Sequence, residues 1–227
     1  MKRPWKKSRL ASSVNGEGLF LEQADIRLLV ALDREFAESA RKAGPLLACG
    51  PGCSDCCIGP FPITRLDVWR LQRGMERLGE EAPELAMAVA LRARRSAETL
   101  ANGYPGDPVT GLLNAGEELL DRYFERHGDL ACPALDPSSG RCDLHDWRPV
   151  SCRTYGPPVR FGPEEVAPPC RLCFQGATAG VVERCRMEPD RQGLEETILA
   201  GLGVREGEDW ETLIAFALAR ESIDVAQ

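Results

Sequence analysis

The sequence has only two histidines, no long apolar run and no excess of basic residues. A membrane-spanning helix needs roughly 20 consecutive apolar residues, whereas the run from Leu28 to Leu32 is about the longest here. The net charge of -7 is unfavourable for binding a polyanion. We therefore expect no membrane span and no nucleic-acid partner.

Basic residues are concentrated in the first ten positions, but Ser12, Ser13 and Asn15 follow them in place of an apolar segment. We therefore expect no secretory signal and a cytoplasmic location. Residues 1–18 are predicted to be a disordered basic arm, and residues 19–227 a single helical domain. Because the cytoplasm keeps thiols reduced, clustered cysteines there are more often metal ligands than disulfides.

The apolar pattern predicts a mainly α fold, with helices packed around irregular, cysteine-rich loops and little or no β-sheet. A strand alternating with a helix, as a dinucleotide-binding fold requires, does not occur in the pattern. Short strands are expected in the second cysteine region, for example around residues 159–161. The predicted helices cover 21–43, a segment that starts after Thr64, a segment that starts at Pro83, a segment that starts at Asp107-Pro108, and roughly 191–202 and 209–222.

Local residues support three of these helix starts. Thr64 and Asp67 have the spacing of a capping box. Pro83 suits the first position of a helix, where its missing N–H costs nothing. Asp107 followed by Pro108 has the pattern of an N-cap and a first helical residue.

The ten cysteines lie in two groups, one at residues 49–57 and one at residues 132–185, with none between Cys57 and Cys132. Cysteines that act as small core residues are scattered among aliphatic residues, whereas these lie in segments rich in glycine and proline. Two Cys-x2-Cys units, Cys53 to Cys56 and Cys170 to Cys173, have the spacing that lets one turn direct two sulfurs at one metal. The pattern therefore predicts metal binding.

Several neighbouring residues bear on the chemistry of such a site. Cys56 and Cys57 are adjacent, so they serve two centres or one of them packs structurally. His145 is either a ligand paired with Cys142 or a surface histidine. Arg148 and Arg153 flank Cys152, and we consider them cofactor-binding residues that stabilise an anionic thiolate site, with surface arginines as the alternative.

The segments CGPGCSDCC and CPALDPSSGRCDLHDWRPVSCRTYG resemble the YkgJ-type cysteine-cluster (CxxCxxCC) proteins over about residues 45–175. The resemblance implies a zinc- or iron-chelating domain whose first seven cysteines are the chelating set. Cys170 joins them through its own Cys-x2-Cys unit. The candidate metal ligands are Cys49, Cys53, Cys56, Cys57, Cys132, Cys142, Cys152 and Cys170.

Among the possible metals, an iron–sulfur cluster of the [4Fe–4S] type suits a donor set rich in sulfur and almost without histidine. Zinc is the alternative, in a structural or interaction domain without catalysis. The family is distantly similar to flagellin lysine N-methylase, so an enzyme would be an iron–sulfur oxidoreductase or methyltransferase-like. An unidentified protein or redox partner is expected.

Overall fold

A computed structural model describes residues 16–161, 166–204 and 210–219. Most regular structure within these ranges is helical, which confirms the mainly α prediction. The helices are α1 (Gly16–Ala43), α2 (Arg65–Glu81), α3 (Pro83–Leu100), α4 (Glu117–Arg126), α5 (Val150–Thr154), α6 (Ala179–Arg184), α7 (Leu194–Gly201) and α8 (Ile214–Ala219). The strands are β1 (Pro62–Thr64), β2 (Gly106–Asp107), β3 (Leu112–Leu113), β4 (Val159–Arg160), β5 (Val166–Ala167) and β6 (Glu211–Leu213).

The local helix signals at Thr64 and Pro83 are confirmed. The Thr64 hydroxyl accepts a hydrogen bond from the Asp67 N–H, and the Asp67 carboxylate accepts one from the Thr64 N–H. Helix α3 begins at Pro83. Helix α1 begins at Gly16, which is earlier than predicted, so residues 16–18 are helical. Residues 1–15 of the predicted arm lie outside the described residues.

The helix predicted to start at Asp107-Pro108 is wrong, because this segment forms the β2–β3 hairpin. The Asp107 carboxylate does not cap a helix but accepts hydrogen bonds within a turn, from the Val109 N–H and the Thr110 hydroxyl, both at 2.8 Å. Gly111 closes the turn with a φ of +66° that favours glycine. The helix itself begins only at Glu117.

The last predicted helix begins later than expected. Residues 211–213 form β6, which pairs antiparallel with β1 through Ile63 and Thr212, and α8 follows at Ile214. The backbone pairing with β1, a contact distant in sequence, outweighs the helical periodicity of the segment. Residues 209 and 220–222 of that prediction lie outside the described residues.

The hydrophobic core lies between α2, α3 and α8, with α1 and α7 packed on one side. A buried ion network joins α1, α2 and α5. The Arg70 guanidinium donates to Asp25 at 2.5 Å and to Asp67 at 2.8 Å, and the Val150 N–H donates to the same Asp67 oxygen at 2.9 Å. This network fixes the start of α5, which carries Cys152.

A search of the described helices for a segment with the length and apolar character to cross a membrane gives no candidate.

Candidate metal centre

The first cysteine segment is a series of tight turns. The Cys53 N–H donates to the Gly50 carbonyl at 3.0 Å, and the Cys57 N–H donates to the Ser54 carbonyl at 2.8 Å. Residues 55–57 form a 3-10 turn, in which consecutive side chains need not point to opposite sides as they do in a strand. The Cys56 and Cys57 Sγ atoms are consequently only 3.9 Å apart.

The second cysteine segment is bound directly to the first. The Cys132 N–H donates to the Cys57 carbonyl at 2.7 Å, and the Gly59 N–H donates to the Leu130 carbonyl at 2.9 Å. Leu135 and Cys142 form an antiparallel bridge that closes the loop between them. These backbone bonds bring Cys132 and Cys142 next to a loop that lies far away in sequence.

Cys152 comes from helix α5, and the buried Asp67 holds the first residue of that helix. It joins Cys56, Cys57, Cys132 and Cys142 in what we call the first sulfur group. The thiols of Cys132, Cys56 and Cys142 each act electrostatically on Cys152. The group therefore draws on three separate parts of the chain.

A third segment, around Cys170 and Cys173, contacts the first cysteine segment. The Cys173 N–H donates to the Cys170 carbonyl at 2.8 Å, which is the turn expected of a Cys-x2-Cys unit. The Phe174 N–H donates to the Leu46 carbonyl at 2.6 Å and so ties this turn to the segment before Cys49. The Cys49 and Cys173 Sγ atoms lie 4.0 Å apart.

All eight cysteines predicted as metal ligands line one cleft of about 700 Å³. Cys173, which sequence reasoning left without a role, lines it as well. The sequence feature that could have identified Cys173 as a cleft residue is the second Cys-x2-Cys unit, which ends at this residue. Cys185 is buried beside Ala43 and Phe174 and is not among the residues that line the cleft.

Burial favours the protonated form of three thiols of the first sulfur group by raising their pKa values. It raises the pKa of Cys132 to about 12, and it is the largest cause of the raised pKa values of Cys142 and Cys152. Cys56 is the exception. A hydrogen bond from the Cys57 thiol, followed by the positive charge of Arg148, lowers the pKa of Cys56 to about 7.

The donor set fits a thiophilic metal. Buried thiolates repel one another and lack solvation, and a bound cation removes both penalties. Neighbouring sulfurs of a tetrahedral zinc site with Zn–S bonds of about 2.3 Å lie about 3.8 Å apart, close to the two Sγ–Sγ distances of 3.9 and 4.0 Å. Within the described ranges, no three Cys, His, Asp or Glu side chains are already arranged as a metal cage. Binding would therefore draw these thiols together.

The two arginines predicted to bind a cofactor both line the cleft but have different environments. Arg148 lies close enough to lower the pKa of Cys56, and its Nε donates to the His145 carbonyl at 2.9 Å. Arg153 is largely buried and donates to the carboxylate of Asp33 and to the carbonyls of Asp146 and Arg148. Arg153 therefore positions the backbone of the segment that bears Arg148.

Two further residues that line the cleft, His145 and Asp55, differ in how exposed their side chains are. His145 is exposed and pairs with Asp146 at 3.3 Å. Asp55, which sequence reasoning missed, is largely buried and accepts hydrogen bonds from the Cys170 thiol and the Tyr155 hydroxyl, both at 3.2 Å, and from Arg171. The sequence feature that could have identified Asp55 as a site residue is its position between Cys53 and Cys56.

A family model matches residues 48–173, which is more than half of the chain and includes all nine cysteines that line the cleft. The family is CxxCxxCC, described as "Putative zinc- or iron-chelating domain". No curated protein and no solved structure matches the chain. The match confirms the resemblance seen in the cysteine segments, and the chain belongs to the CxxCxxCC family.

Proposed function

We propose that this metal-binding chain carries an iron–sulfur cluster of the [4Fe–4S] type on thiolates of the first sulfur group. The observation that carries the proposal is the convergence of five thiols from three parts of the chain on one part of the cleft. A [4Fe–4S] cluster takes four cysteine thiolates. The group therefore has enough ligands without any histidine, and the cleft has space for iron and inorganic sulfide.

The surroundings of the group also suit a cluster. Clusters bound by thiolates are anionic, and a nearby guanidinium both offsets that charge and raises the reduction potential. Arg148 is placed for this role beside Cys56, and Arg153 holds the Arg148 carbonyl at 3.3 Å. When bound, the cluster supplies one-electron transfer. The partner that this function requires is a protein or small molecule that exchanges one electron.

Zinc is the second candidate, and one observation favours it. The 3.9 Å between the Cys56 and Cys57 Sγ atoms is close to the sulfur spacing of a tetrahedral zinc site. A zinc-bound chain would be a structural or interaction domain, since structural zinc sites are closed and have no position for substrate.

The test is the iron, zinc and acid-labile sulfide content of full-length protein purified without oxygen. We expect iron with matching sulfide. We also expect Cys132→Ser and Cys152→Ser each to lose most of the iron, because each removes a thiolate on which the cluster depends.

Cys185→Ala is the matched control, because this buried cysteine lies off the cleft and should keep the wild-type metal content. Zinc without sulfide would replace the iron–sulfur proposal with the zinc one. Full metal retention in both serine variants would contradict the ligand assignment, and absence of both metals from the wild type would contradict the proposed function.

A further inference from the structure

We propose that the cleft contains two separate sulfur sites, and that the second is a closed four-thiolate site for one zinc-like divalent cation. We call its four residues the second sulfur group: Cys49, Cys53, Cys170 and Cys173. The inference rests on the proposed metal-binding function, which it deepens by dividing the ligands between two centres.

The two groups pack against different parts of the hydrophobic core. Cys132 and Cys142 of the first group lie against the cluster formed by α2, α3 and α8. Cys49, Cys170 and Cys173 pack instead with Ala43 and Phe174, at the end of α1. The cysteines of each group that pack against the core therefore have separate apolar support.

The second sulfur group is held together by its own backbone bonds. The Cys170 N–H donates to the Gly156 carbonyl at 3.0 Å, while the Cys49 thiol donates to the neighbouring Tyr155 carbonyl at 3.9 Å. The Cys53 N–H closes its turn on the Gly50 carbonyl, and the Cys173 N–H closes its turn on the Cys170 carbonyl. With Cys49 Sγ and Cys173 Sγ 4.0 Å apart, one edge of a tetrahedral sulfur site is already nearly formed.

The electrostatic neighbours of the thiols divide in the same way. The thiols that act electrostatically on Cys49 are those of Cys173, Cys53 and Cys170. For Cys57 the corresponding thiols all belong to the first sulfur group. Since such effects fall off with distance, each group is an association of near neighbours.

The composition of the second sulfur group favours a single cation. It consists of four thiols from two short turns, and tetrahedral sites of four cysteines are typical of structural zinc. Each of the four thiols releases its proton to water on binding the cation, so four thiolates and one divalent cation leave two net negative charges at the site. Arg171 pairs with Asp55 beside Cys170, so this carboxylate adds no net charge to the site.

The test is a Co²⁺ titration of the full-length chain, monitored by the thiolate-to-cobalt charge-transfer absorption. The iron and sulfide content of each protein is also measured as purified. The variants are Cys49→Ser/Cys173→Ser for the second group and Cys132→Ser/Cys152→Ser for the first. Cys185→Ala is the control, and Cys53→Ser is a milder second-group variant in case the double variant does not fold.

We expect the second-group variants to lose about one equivalent of Co²⁺ while they keep the wild-type iron and sulfide. The first-group variant should lose iron and sulfide but keep that equivalent. Loss of both metals in either set of variants would overturn the division into two sites, and so would an unchanged Co²⁺ stoichiometry in the second-group variants. The proposed function fails separately, if the wild type contains neither iron nor zinc.

Discussion

Cys49 occupies space that almost any residue other than glycine at position 156 would need. Gly156 has a φ of +125°, and a Cβ placed on it would lie 2.6 Å from Cys49 Sγ. Residues with a Cβ rarely adopt this backbone conformation, and the contact would displace the sulfur as well. The Cys49 thiol can therefore occupy this corner of the cleft only because residue 156, which is distant in sequence, has no Cβ.

Gly156→Ala should lower the free energy of unfolding by about 3 kcal/mol, because backbone strain and the clash with Cys49 add. Gly176→Ala is the matched control, since Gly176 also has a positive φ, of +72°, but open space where its Cβ would lie. That control should lose about 1 kcal/mol in the same urea denaturation series. Equal losses of unfolding free energy in the two variants would show that the contact with Cys49 does not contribute to the effect.

At the scale of elements, helices α2 and α7 pack so that their first turns bring acidic residues together. Asp67 lies in the first turn of α2 and Glu195 in the first turn of α7. Burial first, and then the charge of Asp67, raise the pKa of Glu195 to about 7, against the opposing effect of Arg70. The Arg70 guanidinium is already committed to Asp25 and Asp67.

Glu195 should make the folded state less stable as pH rises from about 4.5 to about 7. In that window the folded state keeps a proton that the unfolded state releases, so stability falls with increasing pH. A pKa raised from 4.5 to about 7 corresponds to a loss of about 3 kcal/mol by pH 8. Glu195→Gln should remove this loss, measured by urea denaturation at several pH values.

The exposed neighbour Glu196 provides the control for this measurement. Glu196→Gln should leave the pH dependence of wild-type stability in place. If Glu195→Gln and the wild type showed parallel stability curves from pH 4.5 to pH 8, the raised pKa of Glu195 would be contradicted.

At the scale of the whole molecule, a helical frame and a cysteine-bearing half differ in what holds them together. The frame of α2, α3 and α8 encloses an apolar core that contains Val68, Leu71 and Val89. The cysteine segments have mostly short turns and few regular backbone ladders, so bound metal would supply much of their order. The two halves should therefore respond differently to metal removal.

Chelation of the metal should increase amide hydrogen exchange in residues 47–61 and 130–142 while the amides of α2 and α3 remain protected. Hydrogen-exchange mass spectrometry of metal-loaded and chelator-treated protein measures this, with restoration by added metal as the control. A uniform increase over the whole chain would show that frame and cysteine segments unfold as one unit.

Local signals predicted the parts of this fold that depend on local interactions. The capping box at Thr64 and the proline at the start of α3 involve residues within one turn of each other, so the sequence alone indicates them. The hairpin at Asp107 could not be distinguished from a helix start, because aspartate serves an N-cap and a turn equally well. Strand β6 depends on pairing with β1, about 150 residues earlier in the chain.

The candidate site, like the fold, could be predicted from the sequence only in part. The cysteine spacing and the family resemblance predicted eight of the nine thiols that line the cleft. They did not predict which thiols are neighbours, because Cys49 and Cys173 are 124 positions apart and only the backbone bonds around Gly156 and Phe174 bring them together. The burial of Asp55 beside Cys170 depends on the same tertiary contacts.

The hydrogen bond from the Cys132 N–H to the Cys57 carbonyl and the pairing of β1 with β6 have a consequence for biosynthesis. Chains are made from the N-terminus at about 5–20 residues per second, so the thiols of residues 49–57 leave the ribosome well before their partners at 132–173. For those seconds they are accessible to oxidants and stray cations. The full set of thiols that lines the cleft therefore exists only after residue 173 has been synthesised.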